Sequence, residues 1–193
     1  MARSYKLKKR AEQQEATRLK IVEAAVELHG TVGPAATTVS LLADRAGVQR
    51  HTVYAHFPDE GSLLLACSGL AQERDPMPDA TPWRDIADRG ERIRTGLTAI
   101  YRWYERNAGL TANVVRDAEY HQPTKDIVAF RIAPRIAAYR DILGEGLDEE
   151  GQIALGLALD FGTWRNLARS GGLDAKRSAG LMAKVVSCVG RGA

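Results

Sequence analysis

Residues 37–57 read TTVSLLADRAGVQRHTVYAHF, and this stretch decides the fold of the N-terminal part of the chain. It predicts a short helix, a turn at Gly47 and a second short helix whose outer side is polar. Gly47 suits the turn because a left-handed backbone conformation costs a residue with a Cβ about 1 kcal/mol or more. Thr37 or Thr38 can cap the first helix, and the small Ala43 lets the helices cross closely. This layout is that of a helix-turn-helix, whose second helix enters the major groove of DNA.

The second helix carries six polar side chains that can hydrogen-bond to phosphates or to base edges. They are Gln49, Arg50, His51, Thr52, Tyr54 and His56. The two helices also supply the apolar or small residues that their mutual packing requires, namely Leu42, Ala43, Ala46, Val48 and Val53. The alternative interpretation is an ordinary helical hairpin with a solvated polar face, since the same spacing also arises by chance.

The composition predicts a globular protein, because 45% of the 193 residues are apolar. No apolar run approaches the roughly 18 residues of a membrane-spanning helix, so we expect no membrane partner. The basic N-terminus leads into a charged segment, which argues against a secretory signal. Cys67 and Cys188 are the only cysteines, and they predict two reduced thiols in a cytoplasmic protein. We expect neither a metal site nor a cofactor.

The net charge of +3 is unevenly distributed along the chain. Residues 1–57 contain nine Lys and Arg residues against five acids, whereas the remainder contains 18 against 19. The excess positive charge therefore lies on the segment that carries the predicted helix-turn-helix. Binding to DNA phosphates requires such an excess, although many solvated termini are also basic.

The remainder of the chain is predicted to be helical, because its apolar residues recur with the period of an α-helix. The predicted helices outside the hairpin span residues 12–31, 60–74, 82–107, 109–120, 124–146, 148–170 and 174–190. A bend is expected at Pro134. His29 lies on the apolar stripe of the first helix, which favours a packed histidine over a ligand. Residues 75–82, DPMPDATP, are the strongest candidate for a domain boundary.

Seven consecutive nonpolar residues, 153–159, make the penultimate helix apolar on all sides, and the last helix is nearly as broadly apolar. Such a helix must be covered on every side. Two of these helices from each of two chains would form a four-helix interface. Its expected residues are Leu155, Leu159, Gly162, Leu181, Val185 and Val189. The alternative is a helix buried within its own domain. A dimer would place two reading helices on palindromic half-sites roughly 34–36 Å apart.

The N-terminal arrangement resembles the tetracycline-repressor (TetR) family of bacterial transcriptional regulators. The resembling segments are ATRLKIVEAAVEL from residue 16 and TTVSLLADRAGVQRHTVYAHFPD from residue 37. The ending that runs from Val53 to Pro58 is the most specific part, and residues 157–172, LALDFGTWRNLARSGG, are similar to the family's dimerisation region. The resemblance implies an all-α fold with a helix-turn-helix DNA-binding domain of three helices over residues 1–58. It also implies a helical bundle for effector binding and dimerisation over residues 59–193.

The resemblance assigns roles to individual residues of the predicted DNA-binding domain. It implies that Thr38 contacts phosphate and that Gln49, Arg50, Thr52, Tyr54 and His56 face DNA. Arg50 suits guanine and Gln49 suits adenine, whereas Tyr54 and His56 suit the sugar-phosphate backbone.

Two positions depart from the family's pattern. His51 stands where the family often has a small residue, and the sequence Asp59-Glu60-Gly61 lacks a lysine that would meet phosphate. We expect the basic residues Lys8, Lys9 and Arg10 to compensate through a flexible N-terminal arm that reaches the minor groove.

The resemblance also implies a small-molecule pocket within residues 83–170. Its candidate lining residues are Trp103, Tyr104, His121, Phe130, Arg131, Tyr139, Asp160, Phe161 and Trp164. Their aromatic character favours an apolar or planar effector. Each aromatic residue taken alone is as well explained by core packing, and surface exposure is the simpler explanation for Arg131 and Asp160.

These observations predict a ligand-responsive repressor that binds a palindromic operator as a homodimer and is released by a small molecule. An effector that promotes DNA binding is the alternative mode. A helical small-molecule-binding or scaffold protein without specific DNA recognition is the alternative function. The sequence contains no GxSxG, P-loop, HExxH or glycine-rich dinucleotide turn, so we expect no catalytic residues and no enzyme activity.

Overall fold

The computed structural model describes residues 2–190, with side chains from residue 8 onward. This described part contains eleven α-helices and no strand, which confirms the predicted all-α fold. The helices are α1 (Ala2–Thr31), α2 (Val39–Ala46), α3 (Arg50–His56), α4 (Glu60–Arg74), α5 (Arg89–Arg106), α6 (Ala108–Ala118), α7 (Gln122–Arg131), α8 (Ala133–Leu143), α9 (Glu149–Leu159), α10 (Phe161–Arg169) and α11 (Ala175–Val189). No helix among the described residues is long and apolar enough to cross a membrane.

The helices are grouped into two compact units. The first unit comprises the residues up to Pro76 together with Asn113–Val128, and the second comprises Met77–Ala112 together with the residues from Ala129 onward. The predicted assignment of DNA binding and effector binding to residues 1–58 and 59–193 concerns function, and it stays a prediction.

The core of the first unit is formed by the apolar faces of α1 to α4. Ile21 and Ala25 from α1 pack with Leu42, Val53 and Leu64 from the three following helices, and all five are buried. Ile127 from α7 packs against the same core. The stripe predicted for α1 is therefore the surface on which the two short helices are held.

The core of the second unit surrounds α5. Ile93, Leu97, Ile100, Tyr101 and Tyr104 are buried along one face of this helix, as its spacing predicts. Helix α5 packs against α8, α9, α10 and α11 within this unit.

Four of the predicted helices have bounds that are wrong. Helix α1 begins at Ala2 and not at residue 12. The helix predicted from residue 82 is a 3-10 helix at Thr81–Asp85 followed by α5, whose N-cap Asp88 accepts the Glu91 N–H at 2.7 Å. The helix predicted at 124–146 is not bent but divided into α7 and α8, with Pro134 in the first turn of α8. Proline is favoured there because a first-turn residue needs no N–H donor.

The predicted helix at 148–170 is likewise divided at Asp160. The Asp160 carboxylate accepts the N–H of Thr163 at 2.8 Å and so caps the start of α10. The last carbonyls of α9 are satisfied by two tyrosines of α5. The hydroxyl of Tyr101 donates to Ala158 O at 2.6 Å, and that of Tyr104 donates to Leu159 O at 2.8 Å. These partners satisfy two carbonyls of the last turn of α9 inside the core.

His29 is buried in the first unit, and this predicts a pH-dependent stability. Its Nδ1 lies 3.4 Å from the sulfur of Cys67, and burial lowers the pKa of His29 from 6.5 to about 4. Between these pH values the unfolded chain binds a proton that the folded chain rejects. The free energy of unfolding therefore falls as the pH falls from 6.5 to 4, by up to roughly 3 kcal/mol.

The measurement is urea unfolding of the parent and of His29→Gln at several pH values. The variant should show a flatter pH dependence over this window, because it lacks the titrating group. The same substitution at the exposed His51 is the matched control, since it alters no buried group. Parallel curves for the parent and His29→Gln would contradict the assignment.

Candidate nucleic-acid interface

The turn between α2 and α3 has the geometry that its residues predict. Thr38 caps α2, because its hydroxyl oxygen accepts the Leu41 N–H at 3.2 Å. Gly47 adopts φ +66°, in the left-handed region, and the N–H of Val48 donates to Ala43 O at 3.0 Å. This closes the last turn of α2 and redirects the chain into α3.

Packing fixes α3 on the rest of the first unit. Ala43 from α2 and Val53 from α3 are buried, as their small or apolar character predicts. Phe57, directly after α3, is also buried, and the guanidinium of Arg18 lies 5.1 Å from the centre of its ring. A helix of seven residues is unstable alone, so these contacts determine where α3 lies.

The outer face of α3 carries the predicted DNA-reading residues. Gln49, Arg50, His51 and Tyr54 are exposed, whereas Thr52 and His56 are half-buried. Tyr54 has 56% of its surface exposed. Gln49 is the N-cap residue of α3, but its side chain makes no capping hydrogen bond. The polar side chains therefore project from a fixed helix with their donors and acceptors available.

The basic residues at the N-terminus continue a helix and do not form the flexible arm that we expected. Lys8, Lys9 and Arg10 are exposed on α1. At the start of α4, Asp59 accepts the Ser62 N–H at 2.7 Å and Glu60 is exposed. Capping by Asp59 stabilises α4, and the negative charge at this position also suits the positive end of the helix dipole.

The nine predicted pocket residues have different surroundings. Tyr104, Tyr139, Phe161 and Trp164 are buried, Trp103, His121 and Arg131 are half-buried, and Phe130 and Asp160 are exposed. The ring centres of Tyr104, Phe161 and Trp164 lie 5.2 to 5.7 Å from one another, so these three form an aromatic cluster.

His121 belongs to the first unit, where its Nε2 lies 3.3 Å from the Glu60 carboxylate. Asp160 is a helix cap at the surface and not a buried charge. The residues thus do not share one environment, and a pocket lined by all nine stays a prediction.

The residues predicted for the dimer interface also differ in their exposure. Leu155 and Leu159 are core residues of their own chain, so they have no surface to offer a partner, contrary to our expectation. Ile153 and Leu157 are 62% and 59% exposed on the opposite side of α9. Residues four apart lie on one face of a helix, and residues two apart do not. On α11, Leu181, Val185 and Val189 are exposed, while Gly162 in α10 is half-buried. Their place in a dimer interface stays a prediction.

No cluster of His, Cys, Asp and Glu suited to a metal ion occurs among the described residues. The thiol of Cys67 is buried, and that of Cys188 is exposed. The main surface feature of the first unit is the exposed polar face of α3, which packs on an apolar core.

Comparison with known proteins agrees with this architecture. Residues 21–67 match the family of bacterial regulatory proteins called the tetR family. A search of curated protein sequences gives no match for the chain.

Several solved structures share the fold over nearly their whole length. A proposed fatty acid metabolism regulator from Clostridium perfringens is 17% identical with a TM-score of 0.62, and covers 86% of this chain and 96% of its own. The TetR-family regulator PfmR from Thermus thermophilus is 22% identical with a TM-score of 0.61 and the same two coverages. A proposed TetR-family regulator from Mesorhizobium loti is 16% identical with a TM-score of 0.60, and covers 91% and 97%. At such identities the similarity concerns the fold.

The capping bond of Thr38 gives a prediction about stability. Thr38→Ala removes the acceptor for the Leu41 N–H and should lower the free energy of unfolding by about 1 kcal/mol. Thr38→Ser keeps an acceptor at the same place and should retain most of that stability. Urea denaturation of both variants measures the difference, and equal destabilisation by Ala and Ser would show that the hydroxyl does not stabilise α2.

Proposed function

Since the chain belongs to the TetR family of bacterial regulatory proteins, we propose that it is a repressor that binds a palindromic operator as a homodimer and is released by a small-molecule effector. The observation that carries the proposal is the exposed polar face of α3, which follows a left-handed turn at Gly47. The family fold supports a DNA-binding transcriptional regulator. Operator symmetry, dimerisation and effector release are the parts that we infer.

Base recognition is assigned to the start of α3. Arg50 can donate two parallel hydrogen bonds to O6 and N7 of guanine, and the Gln49 amide can pair with N6 and N7 of adenine. Tyr54 and His56 would donate to phosphate oxygens and hold the helix in register. Both base-reading residues are exposed on a helix that is fixed by its packing.

Phosphate attraction is assigned to α1 rather than to the start of α4. Glu60 is exposed and would repel a phosphate at the position where the family pattern has a lysine. Lys8, Lys9 and Arg10 are exposed on the N-terminal turns of α1. At consecutive positions of a helix they point to different sides, and their positive charge would add sequence-independent affinity.

The dimer is assigned to α9 and α11, which pack against each other in the second unit. Their exposed apolar residues are Ile153, Leu157, Leu181, Val185 and Val189. Residues 153 and 157 are one turn apart, as are 181, 185 and 189, so each helix presents an apolar stripe. A second copy of the same surface would cover these stripes and form a four-helix interface.

The effector is assigned to the aromatic cluster of Tyr104, Phe161 and Trp164. The indole N–H of Trp164 is buried and has no hydrogen-bond partner among the described residues. Buried donors are normally paired, so an acceptor atom on an effector would satisfy this group. The cluster favours a planar or apolar molecule that carries such an acceptor.

The release mechanism that we propose is a shift between two conformations of the dimer. Effector binding would stabilise a spacing of the two reading helices that no longer fits the operator. In this proposal helix α4 would act on the hairpin, because Leu63 and Leu64 pack in the core beneath it.

The first prediction of this proposal concerns DNA binding and its dependence on salt. The operator is obtained by selection from random DNA, and its affinity is measured by fluorescence anisotropy at several salt concentrations. The logarithm of the parent's binding constant should fall linearly with the logarithm of the salt concentration. The slope should be roughly 0.9 for each phosphate that the protein neutralises. Arg50→Ala should weaken operator binding by about 1–3 kcal/mol, because a base contact is lost, with a nearly unchanged slope.

Arg102, exposed on α5 in the second unit, offers the matched control. Arg102→Ala removes the same charge and should leave operator affinity as in the parent. Weak binding by the parent that ignores sequence would instead support a scaffold protein without specific DNA recognition.

The second prediction concerns the dimer. The double variant Leu157→Lys and Val185→Lys places charges on both apolar stripes and should sediment as a monomer, because burying an unpaired ammonium is strongly unfavourable. Its operator affinity should fall, since each chain then contacts one half-site. Leu19→Lys is the control, because Leu19 is similarly exposed but lies on α1. A double variant that remains dimeric would contradict the assigned surface.

A further inference from the structure

Helix α6 holds the end of α1 and the loop after it through three polar side chains. The Asn113 amide donates to His29 O at 3.0 Å, and the Arg116 guanidinium donates to Val32 O at 3.0 Å. The Asp117 carboxylate accepts the Ala35 N–H at 2.9 Å. All three bonds are made to backbone groups, so they fix the path of the chain and not the identity of its side chains.

Asp117 is the central residue of this arrangement, and it is fully buried. Its carboxylate also accepts the Nε–H of Arg116 at 2.7 Å and the hydroxyl of Tyr120 at 2.9 Å. Burial by itself would raise the pKa of Asp117, but hydrogen bonds from Arg116, Ala35 and Tyr120 outweigh it and hold that pKa below its usual value. A buried carboxylate with three donors has one well-defined position.

Gly33 has no Cβ and so leaves room for the Arg116 and Asp117 side chains. It adopts φ +100°, which residues with a Cβ rarely adopt. A Cβ at this position would collide with the Arg116 guanidinium and would lie 2.6 Å from the Asp117 carboxylate. Both the backbone conformation and the space around it therefore require glycine.

The loop that is held in this way leads directly into the helix-turn-helix. The hydroxyl of Thr37 donates to Gly33 O at 2.7 Å, and Thr38 caps α2 one residue later. The position of the loop thus sets the position of the first turn of α2. Because α3 is held through its packing on α2 and α1, a displaced loop would displace the reading helix as well.

We propose that Asn113, Arg116 and Asp117 form a clamp that positions the helix-turn-helix for specific DNA recognition. They are positioning residues, since they act through the loop and not by touching DNA. All three lie outside residues 21–67, the segment that matches the family. This inference rests on the proposed DNA-binding function and adds that specificity depends on residues about eighty positions away along the chain.

The test is the variant Asp117→Asn, which keeps the size of the side chain. Asparagine has one acceptor oxygen, so it cannot accept from Ala35 on one side and from Arg116 and Tyr120 on the other. Affinity for the selected operator should fall by about tenfold or more, whereas affinity for an unrelated duplex should stay as in the parent. The specificity ratio, which is the affinity for the operator divided by the affinity for the unrelated duplex, therefore falls. A residue that matters only for stability would leave this ratio unchanged in the folded protein.

Asp126→Asn is the matched control, because Asp126 is exposed on α7 in the same segment and bonds to the Gln122 amide. It should bind both duplexes as the parent does. Should Asp117→Asn fail to fold by circular dichroism, Asn113→Ala and Arg116→Gln each remove one arm of the clamp and carry the same expectation. An unchanged specificity ratio in folded clamp variants would overturn the proposal.

Hydrogen exchange without DNA separates this proposal from the proposed function. The clamp variants should exchange the amides of α2 and α3 faster than the parent and Asp126→Asn, because their loop is released. If the parent binds no duplex selectively, the proposed function fails whatever the exchange shows. If the parent binds its operator and neither exchange nor the specificity ratio changes in the variants, the clamp alone is wrong.

Discussion

The length of α3 is the constraint on which the rest of the first unit depends. Seven residues cannot form a stable helix in water, so tertiary contacts must supply the stability that the segment lacks. Val53 and Phe57 provide these contacts by inserting into a core made by α1, α2 and α4. A helix that is held in this way can have a polar outer face, because its stability does not depend on burying that face. The exposure of Arg50 and Tyr54 is thus a consequence of how the inner face is packed.

Local signals in the sequence predicted the first unit well. Thr38, Gly47 and Asp59 each act on backbone groups within three or four residues, so their effect can be inferred without knowledge of the fold. The ends of the helices inside the longer segments could not be inferred in this way, although Asp88 and Asp160 cap the helices that follow. Helix α9 ends at Leu159 because hydroxyls from α5, more than fifty residues earlier, satisfy its last carbonyls. A local sequence pattern does not identify partners that are so distant along the chain.

The apolar run at 153–159 shows a second limit of sequence patterns. When every residue of a helix is apolar, its periodicity cannot distinguish the inner face from the outer one. The structure buries Leu155 and leaves Leu157 exposed, and only the packing against α5 and α11 decides between them. The same limit applies to the aromatic residues. Tyr104 and Trp164 are equally suited by composition to a core or to a pocket, whereas the buried indole N–H without a partner is visible only in three dimensions.

The segment that matches the family, residues 21–67, is shorter than the compact first unit, which also includes residues 113–128. The matched segment contains all the residues needed to form α2, the turn and α3, and it contains Gly33 with its left-handed backbone. It does not contain Asp117, whose carboxylate lies beside this glycine. Glycine is required at that position by its backbone conformation, and also by the Arg116 and Asp117 side chains that lie beside it. The structural unit that contains α3 is therefore discontinuous in sequence, and residues 113–128 complete the surroundings of the helix-turn-helix.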